Sequence, residues 1–456
     1  MFPYCTDQLP SEAEPILATL VDTLATRWSR LWIAYSGGLD SHVLLHGCCQ
    51  LRAWLPPLAA VHIDHGLHPD SAHWAVHCQQ VCDALNLPLH ICRVRVTAKE
   101  QLGIEAAARE ARYAAWRALL VAGEALATAQ HQDDQAETLL LALLRGSGID
   151  GLAAMPQQTT LGAGTLIRPL LALSRSTLVG YAKKSGLQWL EDPSNQDTQF
   201  MRNYLRAEIM PRLTARWPSA AHTLSRSAAH CAASAALLDE YAAHWLNVVR
   251  GIPVHTLSVT ALSGLTLNQR RLAMRAWLKQ QGFQLPNQAR LESMVTTLLT
   301  TRPDADPCVQ WPSGELRRYR DGLYALRPLP QPPTTTLRWA GTEPLILGQE
   351  LGSLCWQSPP ATWRQFRVRF AVHGLRCRAY PSGAHRRTLK QVFQTQGIPP
   401  WLRPLIPLVF EEETLIAIAG VVCCAPQGQG LIWRDHPWEA LLNPQPTDAS
   451  ITKSLG

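Results

Sequence analysis

The residues best equipped for chemistry form one hexapeptide, Ser36-Gly-Gly-Leu-Asp-Ser41. Two adjacent glycines let the backbone turn tightly and come close to a ligand. Where such a turn opens a helix, the first amides lack partners inside the helix and favour an anion. Ser36 and Ser41 add hydroxyl donors, and Asp40 puts a carboxylate beside the anion, which makes sense if Mg²⁺ lies between them. The expected phosphate ligands are thus Ser36, Gly37, Gly38, Leu39, Asp40 and Ser41, with Asp40 on the metal. A strand–turn–helix capped by Asp or Ser would use the same residue types. The preceding apolar run favours the phosphate reading, and the missing Gly-Lys-Ser/Thr ending excludes a Walker loop.

Further constellations follow along the chain. In His131-Gln-Asp-Asp-Gln-Ala-Glu137, the residues His131, Asp134 and Glu137 fall on a ~120° arc of a helix. Two carboxylates there can hold an ammonium group, although acidic residues also suit any first helical turn through the dipole. His62, Asp64, His65 and His68 are potential zinc ligands, but their spacing is not a standard zinc pattern and no cysteine pair accompanies them. Arg109 and Arg112 share one helix face, where either could be an ordinary surface residue of an amphipathic helix. Gly146-x-Gly-x-x-Gly151 fits a dinucleotide fingerprint by letter only, since it follows a helix rather than a strand. It reads instead as a helix cap and tight loop. The twelve cysteines contain no C-x-x-C and read as small buried apolar residues.

These groups need a scaffold, and the hydrophobic pattern supplies one. Residues 31–35 and 58–64 are apolar runs bounded by turn residues, as buried parallel strands are. Strands are also expected at 89–96 and 125–128, and helices at 40–51, 104–122 and 133–144. This alternation predicts an α/β domain with a doubly wound parallel sheet. Near Pro218 the pattern changes to a long Ala-rich helix and a mostly helical middle segment. That segment closes on a hairpin turned by Asp321-Gly322. Arg327–Thr336 (RPLPQPPTTT) has linker composition, and a small β-rich unit follows. The expected boundaries are 1–218, 219–330 and 337–456.

The net charge of +7 allows a nucleic-acid partner, and its distribution is the stronger argument. Between Ala361 and Phe410 stand nine basic residues, Arg386, Arg387 and Lys390 among them, with no Asp or Glu. Trp363, Phe366, Tyr380 and Trp401 are interleaved, the footprint of a surface that tracks a phosphate backbone. No apolar run reaches membrane-spanning length, and the N-terminus has neither the basic nor the apolar region of a signal peptide, so a cytoplasmic location is expected.

Ser36–Ser41 after an apolar strand resembles the PP-loop of N-type ATP pyrophosphatases, which cleave ATP between the α and β phosphates and transfer AMP. Within that superfamily, several segments resemble the tRNA(Ile)-lysidine synthetases. These are His62-Ile-Asp-His-Gly-Leu67, His131–Thr138 with Arg145–Leu152, Arg168-Pro-Leu-Leu171, and Glu191–Asp197 with Arg202, Asn203 and Arg206. A fifth pair is His385-Arg-Arg-Thr-Leu-Lys390 with Gly397–Arg403. The resemblance implies ATP as substrate with Mg²⁺ and catalytic roles for Asp40 and Arg112. Lysine would be held by Asp134 and Glu137 with support from His131, and tRNA by Arg386, Arg387 and Lys390. The implied partners are tRNA(Ile) with a CAU anticodon, L-lysine and ATP, with no membrane and a homodimer left open. This chain departs from the pattern at His68, where relatives often have Arg, and at Gly383-Ala384, where they have Gly-Arg. A tRNA thiolation enzyme is the nearest rival, through Cys78, Cys82 and Cys92. An RNA-binding protein with a dead ATPase domain is the other.

Overall fold

The structure is a computed structural model that describes residues 15–25, 28–96, 103–193, 197–253, 255–302, 306–348, 350–357, 365–372, 374–381 and 385–442. Trp363, Gly383-Ala384 and Ser194–Gln196, from segments singled out above, and Arg364, one of the nine basic residues between Ala361 and Phe410, lie outside the described residues. The chain divides into two compact units, Met1–Leu237 and Leu238–Gly456.

The first unit runs α1 (Pro15–Leu24), β1 (Arg30–Ala34), α2 (Leu39–Gln50), β2 (Leu58–Asp64), α3 (Ser71–Ala84), β3 (Leu89–Arg93), α4 (Gly103–Leu119), β4 (Glu124–Ala127) and α5 (Gln132–Leu144). It continues through α6 (Ile149–Leu152), β5 (Gln158–Leu161), β6 (Gly164–Ile167), α7 (Arg175–Lys184), α8 (Met201–Tyr204), a π-helical turn at Leu205–Ile209, and α9 (Met210–Arg216). α10 (Ala220–Val248) spans the boundary between units. The sheet order is β3-β2-β1-β4-β6-β5. β1 pairs in parallel with both β2 and β4, and β6 is parallel to β4.

β1 reads LWIA because it is covered on both faces. Leu31 and Ile33 pack with Ile16, Leu20, Val43, Leu44 and Leu178 on one side. Trp32 packs with Trp116, Leu120, Leu126 and Leu166 on the other. Trp32 Nε1 donates to the buried Glu124 at 3.0 Å, so the indole N–H is not stranded. The doubly wound expectation holds in this unit, with one difference. β5 is antiparallel to β6 and forms the sheet edge. Its alternation is weak (QTTL), with one face at solvent, and so gives little periodic signal. The Gly146 segment does cap α5: Gly146 has φ +67°, and its N–H bonds Leu143 O at 3.0 Å while Ser147 N–H bonds Ala142 O.

In the second unit, α11 (Val259–Ser263), α12 (Leu267–Gln280) and α13 (Gln288–Thr300) pack on an antiparallel sheet. Its strands are β7 (Leu257–Ser258), β8 (Cys308–Trp311), β9 (Gly314–Tyr319) and β10 (Gly322–Leu326). The β9–β10 hairpin turns at Arg320-Asp321, and Asp321 accepts bonds from Ser258 and Thr260. Beyond residue 336, β11 (Leu337–Trp339) opens a β-rich region with a five-stranded, a three-stranded and a two-stranded sheet. Trp401 lies edge-on to Tyr319 and Tyr324 of the hairpin, so one apolar cluster includes hairpin residues and residues beyond 336. His436 is buried and stacked 3.7 Å from Trp433, and burial pushes its pKa down to about 4. Among the described residues, no helix is long and apolar enough to cross a membrane.

Candidate active site

The sheet order reverses direction between β1 and β4, where one half winds outward to β2 and β3 and the other to β6 and β5. Ligands of open α/β sheets bind outside the strand C-termini at such a point. The loop Ser36–Ser41 leaves β1 there, and the turn Thr128–His131 into α5 leaves β4 beside it. The fold thus brings the phosphate loop and the carboxylate helix together, although ~90 residues of sequence separate them.

The loop is held from within. Ser36 and Ser41 hydroxyls lie 3.0 Å apart, Ser36 N–H donates to Ser41 Oγ at 3.2 Å, and Ser41 Oγ–H donates to Gly38 O at 2.9 Å. Gly37 has φ +86°, a backbone conformation that favours glycine, and a Cβ there would also press on Leu190 at 3.1 Å and Cys78 Sγ at 3.3 Å. Gly38 occupies the N-cap of α2 without a side-chain cap, which leaves the first helical amides to a ligand.

Asp40 is where the two halves meet. Its Oδ2 lies 3.5 Å from His131 Nε2, while Oδ1 is enclosed and has no hydrogen-bond partner among the described residues. An enclosed carboxylate oxygen without a partner is costly unless something cationic fills the gap. Asp40 therefore fits a role on a hard divalent ion. His131 is 1% exposed and is ringed by Asp40, Asp133 and Asp134 at 3.5–3.6 Å. Burial alone would disfavour its charge, but Asp133 and Asp40 outweigh it and raise the pKa to about 10, so the ring is an imidazolium. Asp133, which the sequence reading left out, also accepts Arg175 N–H at 2.9 Å and so ties α5 to α7.

Asp134 and Glu137 do share the inner face of α5, but neither stands free. Glu137, 2% exposed, accepts Arg202 Nε–H at 2.9 Å and Arg206 Nε–H at 2.8 Å. Arg206 also bridges to Asp134 Oδ1 at 3.0 Å, and Asp134 Oδ2 caps the His131 amide at 3.1 Å. The clamp was missed, although Arg202 and Arg206 stand four apart, the spacing of one helical face. Arg206 projects from the π-helical turn, a geometry common at functional sites. Among the described residues, the cluster sets Asp40, Asp133, Asp134 and Glu137 against His131, Arg202 and Arg206.

Arg112 and Arg109 separate. Arg109 stacks over Tyr113 at 4.8 Å, whereas Arg112 is half-buried, with Nε and Nη2 each 3.3 Å from His65 Nε2. The residues weighed for zinc are directed elsewhere. His62 Nδ1 bonds Tyr35 O at 3.0 Å, His65 faces Arg112, and His68 stacks on Trp74 and accepts Asp70 N–H. Among the described residues, no group of three or more His, Cys, Asp or Glu is arranged to hold a metal ion. Cys78 touches the loop but is fully buried, and burial pushes its thiol up to about 12. A thiol so far from its thiolate is inert at neutral pH.

In the second unit, Arg386, Arg387 and Lys390 are all exposed, at the start of a helix over Leu389–Thr395 and the strand pair before it. The acid-free stretch is less basic in space than in sequence. Glu413, just beyond it, pairs with Arg367 and Arg369 at 3.0 and 3.6 Å, and Arg403 donates to Ile398 O. The turn after Phe410 folds Glu413 back onto the strand, which a count along the sequence cannot register.

Comparison with known proteins agrees with this geometry. A PP-loop domain family matches residues 11–213, a TilS substrate binding domain family matches 257–324, and a TilS substrate C-terminal domain family matches 366–433. A tRNA(Ile)-lysidine synthase of Yersinia pseudotuberculosis is 42% identical over 412 residues, covering 85% of this chain and 89% of the relative. That of Coxiella burnetii is 40% identical over 414 residues, covering 88% and 91%. Among solved structures, a U34-tRNA thiolase from Methanococcus maripaludis matches 47% of this chain and 77% of its own, at 14% identity and a TM-score of 0.40. With its loop, its carboxylate helix and three successive matched segments, the chain belongs to the tRNA(Ile)-lysidine synthase family.

Proposed function

We propose that this chain is an ATP-dependent ligase that joins L-lysine to C2 of the wobble cytidine of tRNA(Ile) bearing a CAU anticodon. The observation that carries the reading is the meeting of the loop Ser36–Ser41 with the acidic helix α5 at one switch point, joined through Asp40 and His131. In the first step, cytidine O2 attacks the α-phosphate of ATP and pyrophosphate leaves. In the second, the lysine side-chain amine attacks C2 and AMP leaves.

Each step has residues suited to it. The uncapped amides of α2 and the hydroxyls of Ser36 and Ser41 hold the phosphates. Arg112 offers a guanidinium to the charge that builds at the α-phosphate during adenylyl transfer. Asp40 holds Mg²⁺, which when bound offsets the negative charge of the phosphates. Asp134 and Glu137 hold lysine from the inner face of α5, where they share their carboxylates with Arg202 and Arg206. Each carboxylate has about four lone-pair sites, so contact with arginine does not exhaust it. Asp134 is the more accessible, at 13% side-chain exposure, whereas reaching Glu137 requires Arg202 or Arg206 to move aside. The exposed Arg386, Arg387 and Lys390 bind tRNA phosphates. The buried, high-pKa Cys78 and the lack of a C-x-x-C speak against sulfur relay.

Mass spectrometry of tRNA nucleosides after incubation with ATP and lysine tests the reaction. Cytidine mass increased by that of lysine less water is expected. A sulfur-sized increment, or pyrophosphate release with no modified nucleoside, would overturn the reading.

A further inference from the structure

Arg112 is half-buried on α4, yet among the described residues it makes no ion pair. A buried guanidinium is ordinarily paired with a carboxylate. Here both Nε and Nη2 are directed at one imidazole nitrogen, His65 Nε2, each at 3.3 Å. Arginine has donors only, so Nε2 must accept and the ring proton must sit on Nδ1. That nitrogen is enclosed and has no hydrogen-bond partner among the described residues.

We infer that His65 is the positioning residue of the adenylyl-transfer step, fixing the direction of the Arg112 guanidinium as a neutral acceptor that leaves its positive charge unspent. A carboxylate at this position would hold Arg112 equally firmly but neutralise it. Water would leave it charged but loose. An imidazole protonated on Nδ1 does neither, and burial together with the Arg112 charge keeps it neutral by pushing its pKa down to about 4. The loop that carries His65 suits this task. It follows β2 directly, and Asp64 Oδ1 accepts the Gly66 amide at 2.9 Å, which pins the turn. The inference rests on the reading of Arg112 as the arginine of adenylyl transfer.

Three substitutions at one position separate the requirements. His65→Leu removes the acceptor, His65→Gln keeps a neutral one, and His65→Glu keeps an acceptor but adds a charge. The assay is pyrophosphate release from ATP with tRNA(Ile), at saturating and limiting ATP, with unfolding temperature as a control. His65→Leu is expected to lower kcat about ten- to hundredfold, the worth of a hydrogen bond to a charged group, with the KM for ATP little changed. His65→Gln should restore most of the rate. His65→Glu should be at least as slow as His65→Leu despite an unimpaired unfolding temperature. A His65→Leu variant added to Arg112→Ala should cost nothing more. Equal rates for His65→Gln and His65→Leu, or a fully active His65→Glu, would overturn the inference, as would additive losses in the double variant. NMR of the imidazole nitrogens distinguishes the two readings. If Arg112→Ala keeps its rate but alters the His65 Nε2 resonance, the pairing stands and the role of Arg112 falls, and the positioning role with it. If that resonance is indifferent to Arg112→Ala, the pairing itself is absent.

Discussion

Replacing Glu137 by alanine should damage both the fold and the use of lysine, and by separable amounts. Glu137 is 2% exposed and takes three guanidinium hydrogen bonds, one from Arg202 at 2.9 Å and two from Arg206 at 2.8 and 3.0 Å. Breaking a buried pair by removing one partner costs about 3–5 kcal/mol, chiefly because the other charge is left uncompensated. Here the survivors are partly solvated, with side-chain exposures of 28% for Arg202 and 40% for Arg206, and Arg206 retains Asp134. Discounting for that solvation leaves about 2–3 kcal/mol. At ~2–4 °C per kcal/mol for a domain of this size, the unfolding temperature of the first unit should fall by about 4–12 °C. Calorimetry measures this. Lysine dependence, measured well below the transition, should then show a raised KM for lysine and an unchanged KM for ATP. An unaltered unfolding temperature would refute the clamp, and a crippled ATP dependence with normal lysine dependence would move Glu137 to the metal.

Asp40→Asn should abolish pyrophosphate release while lowering the unfolding temperature only modestly, because Oδ1 has no hydrogen-bond partner among the described residues and His131 keeps Asp133 and Asp134 when the Oδ2 charge is lost. Persistent release at the parental rate would remove Asp40 from the mechanism. Neutralising Arg386, Arg387 and Lys390 together should weaken tRNA binding and flatten its salt dependence by about 0.7–0.9 in log–log slope for each phosphate no longer neutralised, as read from affinities over a salt series. An unchanged slope would show that these side chains touch no phosphate. His436 ordinarily titrates near 6.5 but is held at about 4 in the fold. The neutral ring is favoured by folding, so its contribution is full above pH ~6.5 and lost as pH falls through ~4, on the order of 3 kcal/mol. The second unit should therefore unfold at lower temperature as pH falls across that window. His436→Phe should remove this part of the dependence, and a variant with the parental dependence would show that the charge is borne elsewhere.

The sequence made some of this site plain and concealed the rest, for identifiable reasons. Ser36–Ser41 and β1 were legible because a glycine pair after a doubly buried strand leaves few other geometries. The inner face of α5 was legible because helical periodicity places Asp134 and Glu137 side by side. What periodicity cannot show is who sits opposite. Arg202 and Arg206 lie more than sixty residues further on, and only the return of α8 and the π-helical turn brings them to Glu137. Charge counting failed similarly at Glu413, which lies outside the basic stretch by three residues yet beside two of its arginines. Asp133 looked redundant next to Asp134, but its carboxylate turns to Arg175 and His131 rather than along the helix face.

The packing of Trp401 against Tyr319 and Tyr324 bears on how the second unit comes apart. A proline-rich connector such as Arg327–Thr336 invites truncation, as though the residues after it could be unplugged. They share an apolar cluster with the hairpin before it, including Tyr324 and Leu326. Cutting there would strand those side chains in water, at about 25 cal/mol for each Å² of apolar surface uncovered. Residues Leu238–Gly456 should therefore melt as one cooperative block. A shortened chain that loses tRNA binding would then report a damaged neighbour as well as a missing surface, which makes point substitutions on the exposed basic face the cleaner probe of RNA contact.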